Sequence, residues 1–409
     1  QLRFVYNVPK VFEQKQGDKF KYVAEIRSMS EETGHSALLK AMIGCDDRTL
    51  VFSLPYIKEN IPIGVVFKSL GYFEDGDVSE LIGIDDEKMD RIIKLINRDS
   101  FFCVDQTDGF SEFSESMKDK YSSAEISKRW KNLPAKDKNE YKNKATKQNA
   151  LKFIGQHSMH TLKDSEYAEY ALQVVENELF PHMGVTVKNK EIAYYLGHII
   201  NKLLSTYFGY RKDDDRDDYI NKRVESSGTL CYELVRQLFK KYCLAIVTSI
   251  EKKKQSPDAM SVISRLPIIT NGLRHCFSTG NWGVPKNSYI RTGVAQVLSR
   301  LSYGATLSNL RRVSISIGKE SKNTKIRQIH PSQIMFLCCA ETPEGASVGI
   351  VLNLSLLTKI SEKFPTVLVK EVMEQCDNVI PLDKVDTIND VVKIFVNGSF
   401  IGVTNNPYD

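Results

Sequence analysis

Two clusters of side chains have the types and spacing to do chemistry. Arg211-Lys212-Asp213-Asp214-Asp215-Arg216-Asp217-Asp218 sets five carboxylates among three cations. Carboxylates so close could hold a divalent ion, but the run lacks the central glycine and terminal glutamate of a calcium loop and carries its own countercharges. It reads as a self-paired structural turn. Glu341-Thr342-Pro343-Glu344-Gly345 places two carboxylates around a proline-fixed turn, soon after Arg327 and His330. Acid–base catalysis needs such a pair at a defined separation, which a sequence does not supply. The simpler expectation is a glutamate that orders Arg327 by a charge-assisted hydrogen bond, because a guanidinium offers a planar fork to a carboxylate. The histidines form no H-x-x-x-H pair, the eight cysteines no C-x-x-C pair, and neither G-x-x-x-x-G-K-[ST] nor G-x-G-x-x-G occurs. No bound metal, no nucleotide held by a standard loop and reduced, intracellular thiols are therefore expected.

The cations are unevenly spread. Residues 286–330 hold nine Lys and Arg against the single acid Glu320, a local charge of +8 in a chain whose total is +5. They are mixed with Gly293, Gly304 and Gly318 and with Gln296, Ser299, Thr306, Ser308 and Asn309. That composition suits backbone approach to phosphates better than a long solvated helix. Residues 111–149 carry ten basic and six acidic side chains around Trp130 and Tyr141. This second segment is either a solvated helix face or a second polyanion contact.

Several kinds of element must position these groups. Alternation in 21–28, with 38–42 and 49–54, predicts short strands in the first hundred residues. Residues 61–71 predict a buried helix turning out at Asp75-Gly76-Asp77, with a further helix over 80–96. Three helical pieces are expected at 110–121, 123–133 and 135–150, with Ser122 or Ser123 as an N-cap and Pro134 opening the third. Apolar spacing predicts helices at 167–179, 191–207 and 230–250. Strands return at 350–354 and 392–398, where Asn397-Gly398 signals a hairpin. The order strand-rich, helical, strand-rich gives an α+β fold of several modules. The 409 residues, 42% hydrophobic and 26% charged, exceed one core and exclude a disulfide scaffold, a disordered tail and a fibrous repeat. No stretch reaches the roughly 18 apolar residues of a membrane span, so no membrane partner is expected. Gln1 in place of Met, and an end inside the strand-like Phe400-Ile401-Gly402-Val403, are expected of a piece of a longer chain.

Thr279-Gly280-Asn281-Trp282-Gly283, Gly293-Val294-Ala295-Gln296-Val297-Leu298-Ser299-Arg300, Thr306-Leu307-Ser308-Asn309-Leu310-Arg311-Arg312, Ile317-Gly318-Lys319, Arg327-Gln328-Ile329-His330 and Ala340-Glu341-Thr342-Pro343-Glu344-Gly345 resemble, in order and spacing, the second-largest (β-type) subunit of multisubunit DNA-directed RNA polymerases. Leu54-Pro55-Tyr56-Ile57-Lys58 and Asp214-Asp215-Arg216-Asp217 with Asn221-Lys222-Arg223 look like the eukaryotic version. The resemblance covers nearly the whole chain except 110–150. It implies the end of a protrusion at 1–22, a lobe at 23–223, the returning protrusion at 224–280, a fork at 281–360 and the start of an external domain at 361–409. These would form one wall of the DNA cleft in an enzyme that transcribes DNA into RNA. The implied partners are the largest and other polymerase subunits, template DNA and the RNA–DNA hybrid. Gln296, Arg300, Arg311, Arg312, Lys319, Lys322, Lys325 and Arg327 would contact nucleic acid, with 319–325 as the loop that keeps strands apart. Arg327 and Glu344 would support the active centre.

The resemblance also implies that no catalytic residue lies in this stretch. The nucleotide-gripping Lys and Arg, an acidic pair and a zinc-binding end would follow Asp409, and the catalytic magnesium would be held mainly by the largest subunit. Pro331 to Met335 depart from the family's polar residue, His and aromatic, and Cys339 replaces its usual Pro, which puts the role of His330 in doubt. Within the insertion, Ile126-Ser127-Lys128-Arg129-Trp130-Lys131-Asn132-Leu133-Pro134 with Lys138, Tyr141, Lys142 and Ala145 resembles the second and third helices of an HMG box. Such boxes bend DNA from the minor groove, which makes Lys128, Arg129, Trp130 and Lys131 candidates for DNA contact. An insertion of this kind in a eukaryotic-like subunit suggests a large DNA virus as source, hence a nuclear, host-cytoplasmic or virion location. The rival readings are a stand-alone nucleic-acid-binding module and an inactive scaffold paralogue.

Overall fold

A computed structural model describes all residues except 6, 15–17, 32–33, 47–48, 84–108, 118–121, 161–162, 185–188, 252–265, 284–290, 316–323, 362–363, 386–390 and 407–409. The chain divides into two compact units, a larger one of Tyr6–Asp215 with Lys363–Asp409 and a smaller one of Gln1–Val5 with Arg216–Glu362. Among the described residues no helix is long and apolar enough to cross a membrane.

The larger unit is built on a five-stranded antiparallel meander: Lys10–Glu13, Phe20–Met29, Ser36–Gly44, Leu50–Ser53 and Ile61–Pro62. Pairing sets Ala24 against Ala41 and Ile26 against Leu39, so the period-2 alternation sends Ala24, Ile26, Leu39, Ala41 and Ile43 into one core while Glu25 and Lys40 stay partly exposed. The predicted helix after the meander is Ile63–Leu70, buried at every position and ended by Gly71 at φ 105°. Asp75 and Asp77 do not form a loop. They lie in the first turn of a helix, Asp75–Ile82, where carboxylates complement the positive helix end. Gly83 at φ 69° stops that helix; the rest of the expected 80–96 helix lies outside the described residues.

Helix Asn189–Tyr207 brings eleven buried residues to the same core. Its Tyr195 hydroxyl donates to the Asn7 carbonyl at 2.7 Å. A three-stranded sheet of Ile380–Pro381, Ser399–Thr404 and Val392–Val396 completes the unit. Its hairpin turns at Asn397 (φ 47°) and Gly398 (φ 84°), the two positive dihedrals that Asn-Gly supplies. A side chain on Gly398 would strike the Asn7 backbone, so this position requires glycine twice over. His182 closes the corner: its Nε2–H donates to the Gly398 carbonyl at 3.1 Å and its Nδ1 accepts from the Ser28 hydroxyl at 2.7 Å. Burial holds that imidazole neutral, down to about 4.

The three insertion helices are Phe110–Met117, Ser123–Asn132 and Ala135–Gln156. Ser122 caps the second through a capping box with Glu125, whose carboxyl the Ser122 hydrogen bonds hold below the usual range. The third helix runs six residues past its expected end. It serves two cores: Tyr141 joins Phe110, Phe113 and Trp130 in an aromatic cluster with ring centroids 5.2–6.3 Å apart, while Ala150, Leu151 and Ile154 enter the main core.

The smaller unit has thinner cores. Strand Leu2–Phe4 pairs with Lys222–Val224, and Arg312–Ser314 with Val351–Asn353. Helix Ser227–Glu251 packs on Ile268–Thr279 through Leu230, Leu234, Leu238 and Cys276. Trp282 seals that contact, its indole N–H donating to the Leu230 carbonyl at 2.8 Å. Glu225 pairs with both Arg3 (2.9 Å) and Arg291 (3.3 Å), and Arg291 also reaches Glu233 at 3.0 Å.

Candidate nucleic-acid interface

The basic stretch of the smaller unit is carried by short elements with little buried behind them. Gln296 and Arg300 lie on an exposed segment leading to the helix Tyr303–Leu310, whose N-cap Ser302 accepts from Ala305 N–H at 3.1 Å. Arg312 opens its strand and is exposed. Lys325 begins the 3-10 turn Lys325–Arg327 and is exposed as well. Lys319 and Lys322 lie outside the described residues.

Arg311 and Arg327 are spent differently. Arg311 Nη2 donates to the carbonyls of Leu354 and Ser355, tying the end of its helix to the segment after strand Val351–Asn353. Arg327 Nη1 donates to Ala346 O at 2.8 Å and Val348 O at 2.9 Å. Backbone carbonyls in the turn after Glu344 are thus among the anchors of Arg327. A flat fork with several N–H groups suits two carbonyls as well as one carboxylate. Gly349, at φ 69°, lets the turn lie against the Arg327 backbone, where a Cβ would clash.

The two glutamates part company. Glu341 Oε1 accepts from the Ser308 hydroxyl, and its carbonyl accepts from Asn353 Nδ2 at 3.4 Å. Glu344 stands exposed as the N-cap of Gly345–Ser347. Thr342 pins the turn from the other side, donating to Val351 O at 2.9 Å and accepting from Gly349 N–H at 3.1 Å. The Glu341-to-Gly349 turn is thus a braced platform at Arg327. Sequence reasoning quoted Ser308 and Thr342 without this bracing role and did not single out Gly349, which stands between Val348 and Ile350 with no polar turn residue beside it.

The acidic run is consumed in structure. Asp214 receives Arg211 Nη2 at 2.6 Å and the Val11 N–H at 2.8 Å, with Lys202 at 3.5 Å. Burial opposes this charge, but the Arg211 hydrogen bond and the other donors outweigh it and hold the carboxyl low. Burial lowers Lys202 to about 8 against the pull of Asp214. Asp218 accepts from Ile220 N–H at 3.0 Å. Among the described residues no three His, Cys, Asp or Glu converge on a metal position.

In the insertion, Lys128, Arg129 and Lys131 are exposed. Trp130 is not beside them in role. Its ring lies 5.3 Å from Phe113 and 5.9 Å from Phe110, with Lys138 Nζ 5.9 Å from its centroid. It builds the module's core.

Comparison with known proteins gives this geometry a context. The family model described as RNA polymerase Rpb2, domain 2 matches residues 7–225, and that of RNA polymerase Rpb2, domain 3 matches residues 296–360. A probable DNA-directed RNA polymerase II subunit RPB2 homolog of Invertebrate iridescent virus 6 is 35% identical over all of this chain and 34% of its own length. The DNA-directed RNA polymerase II subunit 2 of Arabidopsis thaliana is 32% identical over 97% of this chain and 31% of its own. The homolog of Invertebrate iridescent virus 3 is 33% identical over 98% and 35%. The chain spans about a third of the length of these relatives. With a single family model accounting for more than half of its residues, this chain belongs to the RNA polymerase Rpb2 family.

Proposed function

We propose that the chain acts within the second-largest subunit of a multisubunit DNA-directed RNA polymerase, as part of the wall of the DNA cleft. In this reading the larger unit would hold most of the protrusion end expected at 1–22, the lobe sequence as far as Asp215 and nearly all of the external-domain start, and the smaller the returning protrusion and the fork with residues 1–5 and 216–223. The observation that carries the reading is the braced turn from Glu341 to Gly349, held on Arg327 and Ser308, with exposed Arg300, Arg312 and Lys325 in the same unit. Exposed cations on short, stiff elements suit phosphate contact, which positions a duplex without reading its sequence. Arg311 and Arg327 then serve as positioning residues, and Lys319 and Lys322 would extend the contact. Magnesium and the chemistry of nucleotide addition would reside with the largest subunit.

The experiment is co-expression with a largest subunit, followed by transcription with Arg327→Ala in the assembled enzyme. Elongation slows more than DNA binding weakens if Arg327 braces the platform; equal losses contradict that role. A well-folded monomer that binds duplex tightly and captures no polymerase subunit would favour the stand-alone module. For the insertion we propose a second DNA contact through Lys128, Arg129 and Lys131, with Trp130 holding the helices together. The four-ring cluster supports this, because it gives residues 110–150 a core of their own.

A further inference from the structure

Cys338 and Cys339 are the only cysteines adjacent in the sequence. Both are free thiols, Cys338 half-buried and Cys339 exposed. They follow Leu337, which is buried and bridges to Leu354, and they precede Glu341, where the braced turn begins. Asn353 clamps this short connection at both ends. It is 3% exposed; its main-chain carbonyl accepts from the Cys338 N–H at 2.9 Å, and its Nδ2 donates to the Glu341 carbonyl at 3.4 Å. The buried Gln333 donates from Nε2 to the Cys338 carbonyl, also at 3.4 Å. The peptide group between the two cysteines is thus tied to the interior by its oxygen, while the Cys339 thiol reaches solvent.

We infer that Cys338 and Cys339 form a reversible dithiol–disulfide modification site, and that closing it loosens the turn from Glu341 to Gly349. The oxidant is a hydroperoxide. The Cys339 sulfur attacks a peroxide oxygen, the O–O bond breaks, the thiol proton leaves with the departing oxygen as water or an alcohol, and Cys339 becomes a sulfenic acid. The Cys338 sulfur then attacks that sulfur; the S–O bond breaks, the hydroxide takes the Cys338 proton as water, and the S–S bond forms. Two electrons pass from the two thiols to the peroxide. Because the resolving thiol is the neighbouring residue, this second step is intramolecular and outruns further oxidation of Cys339. Two Cα atoms across one trans peptide stand about 3.8 Å apart, less than the roughly 4.4–6.8 Å that a relaxed disulfide spans. The closed ring is therefore strained and easily reduced, which suits a switch better than a permanent crosslink. The peptide inside the ring must absorb that strain. Its carbonyl is the one Gln333 holds, so turning it leaves a buried amide unpaired and pulls on the Asn353 clamp. Glu341, two residues on, carries the Ser308 contact that braces the turn.

The test treats the full chain with hydrogen peroxide, then with N-ethylmaleimide, and follows tryptic peptides by mass. The peptide between Arg327 and Lys359 contains Cys338 and Cys339 and no other cysteine. It should lose two hydrogens and take up no maleimide, and dithiothreitol should restore both uptake sites. The exposed, solitary Cys45 and Cys243 should instead give sulfenic acids that dimedone traps, and Cys338→Ser should convert Cys339 to the same trapped form. On closure, amide exchange over residues 341–349, where the Gly349 N–H donates to Thr342 Oγ1, should quicken about tenfold, with no such change in Cys338→Ser treated identically. A pair that keeps both maleimides while Cys45 is oxidised, or a lasting dimedone adduct on Cys339 in the unsubstituted chain, overturns the modification site. A closed pair with unchanged exchange over 341–349 overturns its link to the turn.

Discussion

The main core of the larger unit and the basic stretch of the smaller one treat their cations differently. In that core a few basic and imidazole groups are taken out of water: burial lowers His182 to about 4, His198 to about 3 and Lys202 to about 8. In the smaller unit Arg300, on the segment before helix Tyr303–Leu310, and Arg312 and Lys325, on elements of three residues, are exposed. A buried charge is costly and is neutralised or paired, whereas an exposed one remains available to an outside anion at little cost to folding. The contrast separates side chains that make the fold from those that could make a contact, although both kinds look alike in composition.

Substitutions should fall on one side or the other of this line. The largest effect belongs to Gly398→Val, which meets the Asn7 backbone and a positive φ. It should destabilise the larger unit by roughly 3 kcal/mol or more, read as a lowered denaturation midpoint. Phe113→Ala, removing a ring that is 1% exposed, should cost about 3 kcal/mol within the insertion. The chain has two tryptophans; Trp130 emission should shift to the red while Trp282 in the smaller unit stays unchanged.

Acid provides a subtler separation. The folded pKa values of His182 and His198 lie below the ordinary 6.5, so the unfolded chain binds more protons between the two values. Stability is therefore complete above about pH 6.5 and declines as pH falls toward 4. At pH 5 each histidine should account for on the order of 2 kcal/mol, and a pH series of urea midpoints that stayed flat from 7 to 5 would break the contrast. The smallest effect on folding is expected of Arg312→Ala, within about 0.5 kcal/mol. It should nevertheless reduce the salt slope of nucleic-acid binding by about one.

Much of the fold was legible because its signals are local. The helices at Tyr167–Glu178 and Asn189–Tyr207 announce themselves by apolar spacing, the helix at Ser123–Asn132 by its capping serine, and the last hairpin by Asn397-Gly398. Strand Leu2–Phe4 was not legible, since its partner lies some 220 residues away and three residues carry no period. Helix Asp75–Ile82 was misread as a turn because Asp-Gly-Asp punctuates loops as readily as it opens helices. At the candidate interface the cations could be counted, but not sorted. Arg311 and Arg312 are neighbours of one type, yet one braces carbonyls and the other faces solvent. Only the paired strands Arg312–Ser314 and Val351–Asn353 decide which is which.

The most direct measurement is site-specific crosslinking in the assembled polymerase, with Arg312 replaced by a photoactivatable phenylalanine and template DNA radiolabelled. The account predicts transfer of label to this chain on illumination, abolished by high salt. Crosslinks exclusively to other polypeptides, with DNA bound and the enzyme active, would contradict it.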